Sequence, residues 1–534
     1  MLCSRAMDAP LTRTPDADAM AHSIVDRLNA RIEKLPDAEL LRLLEDTVYQ
    51  ERLRFEEDPP KEGEQRDIDE AARVALGAER ALWESSCRRL VKGYTHEIHN
   101  RFSKRAYGLG TKVLPGVLTR LVTATDPTRL LSRDYDPDSR LIIQGEVELA
   151  QELIERGTFI LAPTHLSNLD SPLLGYALYR AGLPPVAYGA GLNLFSNPVM
   201  AFWMSRLGAY TVDRRKQGRI YKETLKDYST ELLRHGVHQL FFPGGTRSRS
   251  GMVEKKLKKG LLGTGIQAWQ ENLAAGVEKP DIFVVPATLS TSIVLEAETL
   301  VSDALAREGK SRYIITDDEF SRPKDVASYL SRVLNLDESI HITFSAPLDL
   351  MGNKVDRQGR SLGPDGEPID RARYVTDAAG KVQWDPQRDR VYTDRLADGI
   401  VDAYHRDNVA HTTHLTAFVA WELLARKHKH LDIFHLVRID PSQRRLSQQE
   451  FLAALDRALE RLDELTTAGR IRQSLSFSTD QARARAVLEG AIRRFSSFHA
   501  RDAIRLEAGD LAVDMELLYF YRNRLVGYGL EESF

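Results

Sequence analysis

The chain has 534 residues, enough for several domains and a sizeable buried core. Lys plus Arg number 74 against 77 Asp plus Glu, so the overall charge gives no argument for a nucleic-acid partner. Two cysteines, Cys3 and Cys87, make neither a disulfide framework nor a zinc site and fit a reducing cytosol. The N-terminus lacks the apolar core of a secretory signal, and no unbroken run of about 20 apolar residues marks a membrane-spanning helix.

The first block, 1–140, reads as helical. SIVDRLNARIEKL and AELLRLLEDTVYQERLRF carry apolar residues at helical spacing, and DPPKEGEQRD, Asp58 to Asp67, reads as a charged linker. Within 88–121, Arg88, Arg89, Lys92, Arg101, Lys104 and Arg105 interleave with Tyr94, Phe102 and Tyr107. This is either a solvated helix face or a patch for anionic lipid headgroups.

The second block, 141–350, alternates short apolar runs with helical patterns. TFILA (Thr158 to Ala162), HQLFF (His238 to Phe242), DIFVVPA (Asp281 to Ala287) and HITFS (His341 to Ser345) read as buried strands. TLKDYSTELLRHG and GLLGTGIQAWQENLAAG read as helices between them. The alternation predicts an α/β domain with a mostly parallel sheet flanked by helices, whose site lies beyond the carboxyl ends of the strands. Residues 351–391 are polar and rich in Gly and Asp, and read as an exposed loop excursion. From 392 to 534 the pattern is helical again, with RRLSQQEFLAALDRALERLDEL the clearest amphipathic stretch.

Two turns after predicted strands carry candidate chemistry. In THLSNLDSP, His165 and Asp170 are separated by four residues. On a continuous helix they would point about 140° apart, whereas a strand-to-helix turn folds the carboxylate back onto the imidazole. Ser171-Pro172 suits the opening of that helix. The pair is then a general base with an orienting carboxylate; the plainer reading is a helix N-cap and a loop histidine.

In FFPGGTRSRSG, Gly244-Gly245 allows close backbone approach to a ligand, and Arg247 and Arg249 alternate toward one side, as two forks suited to a phosphate dianion. A solvated basic loop is the alternative, and the segment is not a P-loop. GAYTVDRRK, Gly208 to Lys216, adds Arg214, Arg215 and Lys216 after a bulky apolar stretch containing Leu194, Phe195, Met200, Phe202, Trp203 and Met204. That stretch reads either as a core helix or as a wall for an acyl chain.

In this order the segments resemble the glycerolipid acyltransferase superfamily, with its His-x4-Asp motif, glycine/arginine phosphate motif and proline-containing strand. They are most similar to the bacterial and mitochondrial glycerol-3-phosphate O-acyltransferases. GAGLNL, RLGAYTVDR, PGGTRSRSG, VVPATLSTSIVLEAETLVSDALAREGKSR, ITFSAPLDL and LLYFYRNRL carry the similarity. Three positions depart from the pattern: Gly244 stands where the superfamily usually has Glu, Asp213 stands at an arginine position, and Thr164 precedes His165 where Asn is common.

The resemblance implies transfer of a fatty acyl group from acyl-CoA or acyl carrier protein to glycerol-3-phosphate in phospholipid biosynthesis. Lysophosphatidate or dihydroxyacetone phosphate is the alternative acceptor. A thioesterase or an inactive lipid-binding homologue is the more distant alternative. It also implies His165 as base, Asp170 as its support, and Arg214, Gly245, Thr246, Arg247, Ser248 and Arg249 around the acceptor phosphate. No metal or further cofactor is expected. The expected location is peripheral, on the cytoplasmic face of an anionic membrane.

Overall fold

The computed structural model describes residues 10–60, 62–77, 79–110, 141–192, 198–308, 340–474, 477, 483–496 and 499–534. The basic stretch beyond 110, Leu194, Phe195 and the fourth motif block beyond 308 lie outside the described residues.

Seven strands form the central sheet: β1 Leu141–Gly145, β2 Thr158–Pro163, β3 Ala187–Gly191, β4 Ala209–Val212, β5 Gln239–Leu240, β6 Ile282–Ser290 and β7 Ile340–Phe344. Their order is β1-β7-β6-β2-β5-β3-β4, and every neighbouring pair is parallel except β6 with β7. β2 and β6 are buried along their whole length, as expected for parallel strands covered on both faces.

Side chains alternate between the faces. Ile160 and Val284 point into a core with Ile266, Trp269, Ile400 and Tyr404. Phe159, Leu161 and Val285 point into the opposite core, which continues through Phe344, Phe418, Phe451 and Tyr521. Each such buried side chain contributes about 1.5–3 kcal/mol.

The N-terminal layer contains α1 Ala17–Ile32, α2 Asp37–Glu57, α3 Glu62–Ala75 and α4 Arg80–Ile98. Between the strands run α5 Val147–Ile154, α6 Asp170–Arg180, α7 Pro198–Arg206, α8 Arg219–Arg234, α9 Lys259–Ala274 and α10 Ala297–Glu308. The C-terminal helices are α11 Pro386–Asp407, α12 Thr412–Lys427, α13 Ile433–Val437, α14 Gln448–Thr467, α15 Arg483–Phe495 and α16 Met515–Arg522. Residues 351–385 include a small hairpin in which Ser361–Leu362 pairs antiparallel with Pro368–Ile369.

The cores cross the block boundaries. Ile24, Leu44 and Leu90 of the N-terminal helices share a cluster with Tyr210 of β4 and Tyr221, Tyr228 and Leu232 of α8. Contrary to the linker expected over Asp58–Asp67, α3 begins inside this segment, at Glu62. Glu64 accepts from Lys216 Nζ at 2.9 Å and from Arg54 at 3.4 Å, so this part of the charged run is paired rather than left to solvent.

Candidate active site

β2 ends at Pro163 and α6 starts at Asp170, so the His165–Asp170 motif spans a tight strand-to-helix turn. Thr164 anchors the strand end, donating its N–H to Ala287 O and accepting from Leu289 N through its hydroxyl, both at 3.0 Å. His165 Nδ1 lies 2.9 Å from Asp170 Oδ2. The same oxygen accepts from Leu166 N at 2.6 Å and Ser167 N at 2.9 Å. The His165 ring stacks on Phe242, with centroids 3.9 Å apart. Its Nε2 has no hydrogen-bond partner among the described residues. A carboxylate thus holds one nitrogen of this buried ring and leaves the other unbonded among the described residues, the arrangement of a general base with an orienting partner.

Four successive N–H groups of this turn end on carboxyl groups. His165 N donates to Glu254 Oε1 at 2.9 Å, Leu166 N and Ser167 N donate to Asp170, and Asn168 N donates to Glu296 Oε1 at 3.0 Å. The Ser167 hydroxyl donates to Glu296 Oε2 at 2.8 Å, and Arg247 Nη1 donates to Oε1 at 3.1 Å. Burial pushes the Glu296 carboxyl up to about 7, against the pull of Arg247 and the turn's donors. Burial does the same to Glu254, also to about 7. Glu254 as a residue is half-buried, but its Oε2 is enclosed and has no hydrogen-bond partner among the described residues.

The arginine loop is fastened to this turn, since Ser248 N donates to His165 O at 2.8 Å. Ser248 Oγ donates to Met252 O at 2.7 Å, and Gly245, at φ +80°, donates its N–H to Phe242 O at 2.9 Å. Ser248 and the Gly245 N–H therefore brace the loop itself. Arg247 reaches Glu296, while Arg249 pairs with Asp303 of α10. Thr246 stands between Gly245 and Arg247 at the half-buried tip of the loop.

Arg214 lies beyond β4. Partial burial first, and the charge of Arg247 second, lower its pKa from the ordinary guanidinium value. Two guanidinium groups within electrostatic reach of each other favour an incoming dianion. Arg214, Gly245, Phe242 and Lys258 line a cavity of about 970 Å³. The neighbouring cations are committed elsewhere. Arg215 donates to Asp213 and Asp58, and Lys216 donates to Glu64 and Glu97. Asp213, the departure from the expected arginine, thus holds Arg215 aside. Among the described residues no group of three or more His, Cys, Asp or Glu is arranged to hold a metal ion.

Residues 144–290 match the family model described as Acyltransferase. This segment is an acyltransferase-family domain. Among curated proteins, the glycerol-3-phosphate acyltransferase of Pseudoalteromonas translucida (strain TAC 125) is 30% identical over 197 residues, covering 36% of this chain and 23% of that protein. That of Aeromonas hydrophila subsp. hydrophila is 27% identical over 284 residues, covering 53% of this chain and 30% of that protein. The matches thus span less than a third of these relatives' own length. A solved structure, the 1-acyl-sn-glycerophosphate acyltransferase PlsC of Thermotoga maritima, is 15% identical with a TM-score of 0.25, covering 55% of this chain and 96% of that one.

Within this acyltransferase domain, the structure brings His165, Asp170, Arg247 and the Ser248 backbone together. It sets Arg214 within electrostatic reach of Arg247 and turns Arg249 toward α10. Sequence reasoning missed Glu254, Glu296 and Arg524. Glu296 sits in a block that carried the resemblance, but nothing local separates it from Glu298. Arg524 is buried in the C-terminal tail, within electrostatic reach of Glu254 and Asp170, and donates to Leu289 O and Asn408 Oδ1. Its only sequence signal is the LLYFYRNRL tail.

Proposed function

We propose that the protein transfers a fatty acyl group from a thioester, acyl-CoA or acyl carrier protein, to glycerol-3-phosphate. The observation that carries this reading is the His165–Asp170 contact at 2.9 Å, with Arg247 tied through Glu296 to the same turn and Arg214 within electrostatic reach of Arg247. His165 Nε2 takes the proton from the acceptor hydroxyl as its oxygen attacks the thioester carbonyl. The tetrahedral species collapses, the C–S bond breaks, and the thiolate takes the proton back from His165. Asp170 holds the ring and stabilises the imidazolium between these steps. Arg214 and Arg247 bind the acceptor phosphate, supplying proximity as well as charge. The thioester is already activated, so the proposed chemistry uses no metal and no cofactor beyond the acyl donor.

We further propose a peripheral site of action, on the anionic cytoplasmic face of a membrane, where the acylated product partitions. Among the described residues no helix is long and apolar enough to cross a membrane. In support, residues 101–110 run against α7: Arg101 N and Ser103 N donate to Ser205 O and Arg206 O at 3.1 and 3.0 Å. Leu109 and Phe202 are exposed, as are Arg101, Lys104 and Arg105, and Arg206 lies over the Phe202 ring.

The test is incubation of the pure protein with labelled acyl-CoA and, separately, glycerol-3-phosphate, lysophosphatidate and dihydroxyacetone phosphate. Labelled lysophosphatidate from the first acceptor is expected. Product from lysophosphatidate alone, or free fatty acid at a rate no acceptor changes, overturns the reading.

A further inference from the structure

Gly244 has no side chain, yet the space over its Cα is filled. A Cβ built on it would stand 3.1 Å from Glu254 Cγ and 3.3 Å from Glu254 Oε1. That same Oε1 accepts the His165 N–H at 2.9 Å. One carboxyl group therefore bridges the two motif turns, closing over the glycine of one and gripping the main chain of the other.

Its surroundings are built for a carboxyl group. The Arg524 guanidinium is buried with Nε and Nη1 unbonded among the described residues, and its charge acts on Glu254. Tyr404 of α11 lies close enough to sense the Glu254 charge and donates its hydroxyl to Ala162 O at 2.8 Å, fixing the end of β2 just before His165. The C-terminal tail backs the same loop, with Asn523 Nδ2 donating to Ser250 O at 2.8 Å.

We propose that Glu254 is the positioning residue of the His165 turn, its carboxyl group occupying the space that a side chain at position 244 would take. The proposal rests on the acyl-transfer reading for its kinetic consequence and on geometry for the rest. Position 244 is where the family resemblance looks for a glutamate and finds none. The chain supplies the group instead from Glu254, on the far side of the loop, and a Cβ at 244 would crowd it by a few tenths of an ångström.

Four variants test this: Glu254→Gln, Glu254→Ala, Gly244→Glu, and the last two combined. Glu254→Gln keeps an oxygen that accepts the His165 N–H and should retain most of kcat. Glu254→Ala leaves that N–H unpaired and should lose about tenfold or more in kcat at unchanged KM for the phosphate acceptor. Gly244→Glu alone should be impaired, because its Cβ meets Glu254. The combined variant removes the crowding and brings a carboxyl group back, so it should exceed both single variants.

A general packing role would lower the melting temperature of Glu254→Ala and give no recovery in the combined variant, and that result overturns the proposal. So does wild-type kcat in Glu254→Ala. If the wild-type protein transfers acyl groups to no acceptor, the functional reading falls alone. The crystal structure of Glu254→Ala then decides this proposal: the His165–Asp170 contact should open there and persist in Glu254→Gln, and an unchanged contact in Glu254→Ala sinks it.

Discussion

Along the seam between α1 and the α8–α9 pair, buried carboxylates meet guanidinium groups. Arg27 donates to Glu231 Oε1 and to Glu271, and Arg31 donates to Asp227. At the turn between β2 and α6, the carboxyl groups of Glu254, Asp170 and Glu296 meet backbone N–H groups instead, and among the described residues only Glu296 of these also receives an arginine or lysine in a direct bond. The seam ties one helix to another through long side chains, so it fixes how layers dock. The turn ties carboxyl groups to the main chain on either side of His165, so it fixes where one ring points. Breaking the first should cost stability, and breaking the second should cost rate.

His165→Ala gives the largest effect. Turnover should fall by about 10²–10⁴-fold because the base is lost, while the fold is kept with a modest drop in thermal melting from the vacated Phe242 stack. An active His165→Ala enzyme breaks the catalytic half of the comparison. Next comes Arg27→Met in the seam. It leaves Glu231 and Glu271 with Arg234 as their remaining arginine partner, and should cost about 3 kcal/mol in denaturant unfolding while kcat is kept.

Arg214→Ala should mainly raise KM for the phosphate acceptor, by about tenfold, since it removes one charge-assisted contact while leaving the base intact. The smallest effect is a pH dependence of stability. Glu254 and Glu296 titrate near 7 when folded and near 4.5 when unfolded, so between these values the folded state holds protons that the unfolded chain has released. Their contribution is fully present below about 4.5 and is lost as pH rises through about 7. Glu296→Gln should flatten this slope in urea titrations across that window. An unchanged slope would show that the carboxyl group is not held neutral.

Much of the site was legible because its chemistry is local. His165 and Asp170 share one turn, Arg247 and Ser248 share the next, and both turns follow strands whose apolar runs are plain. The arginine spacing was less informative. Alternation along the chain says which side of an extended segment a residue takes, but Glu296 and Asp303 decide what each guanidinium reaches. The run Arg214, Arg215, Lys216 looked uniform, yet Asp213, Glu64 and Glu97 withdraw two of its three charges.

The sequence by itself determined the α/β alternation, the strand-to-helix turn that pairs His165 with Asp170, and the glycine that frees position 244. Periodicity and short-range geometry are enough for these, because the interacting groups lie within a few residues of one another. Only the tertiary structure decided that Glu254, Glu296 and Arg524 gather at the same turn. Each is an ordinary charged residue in its own segment. Its role comes from burial beside a main chain that is distant in sequence, and no local pattern encodes that proximity.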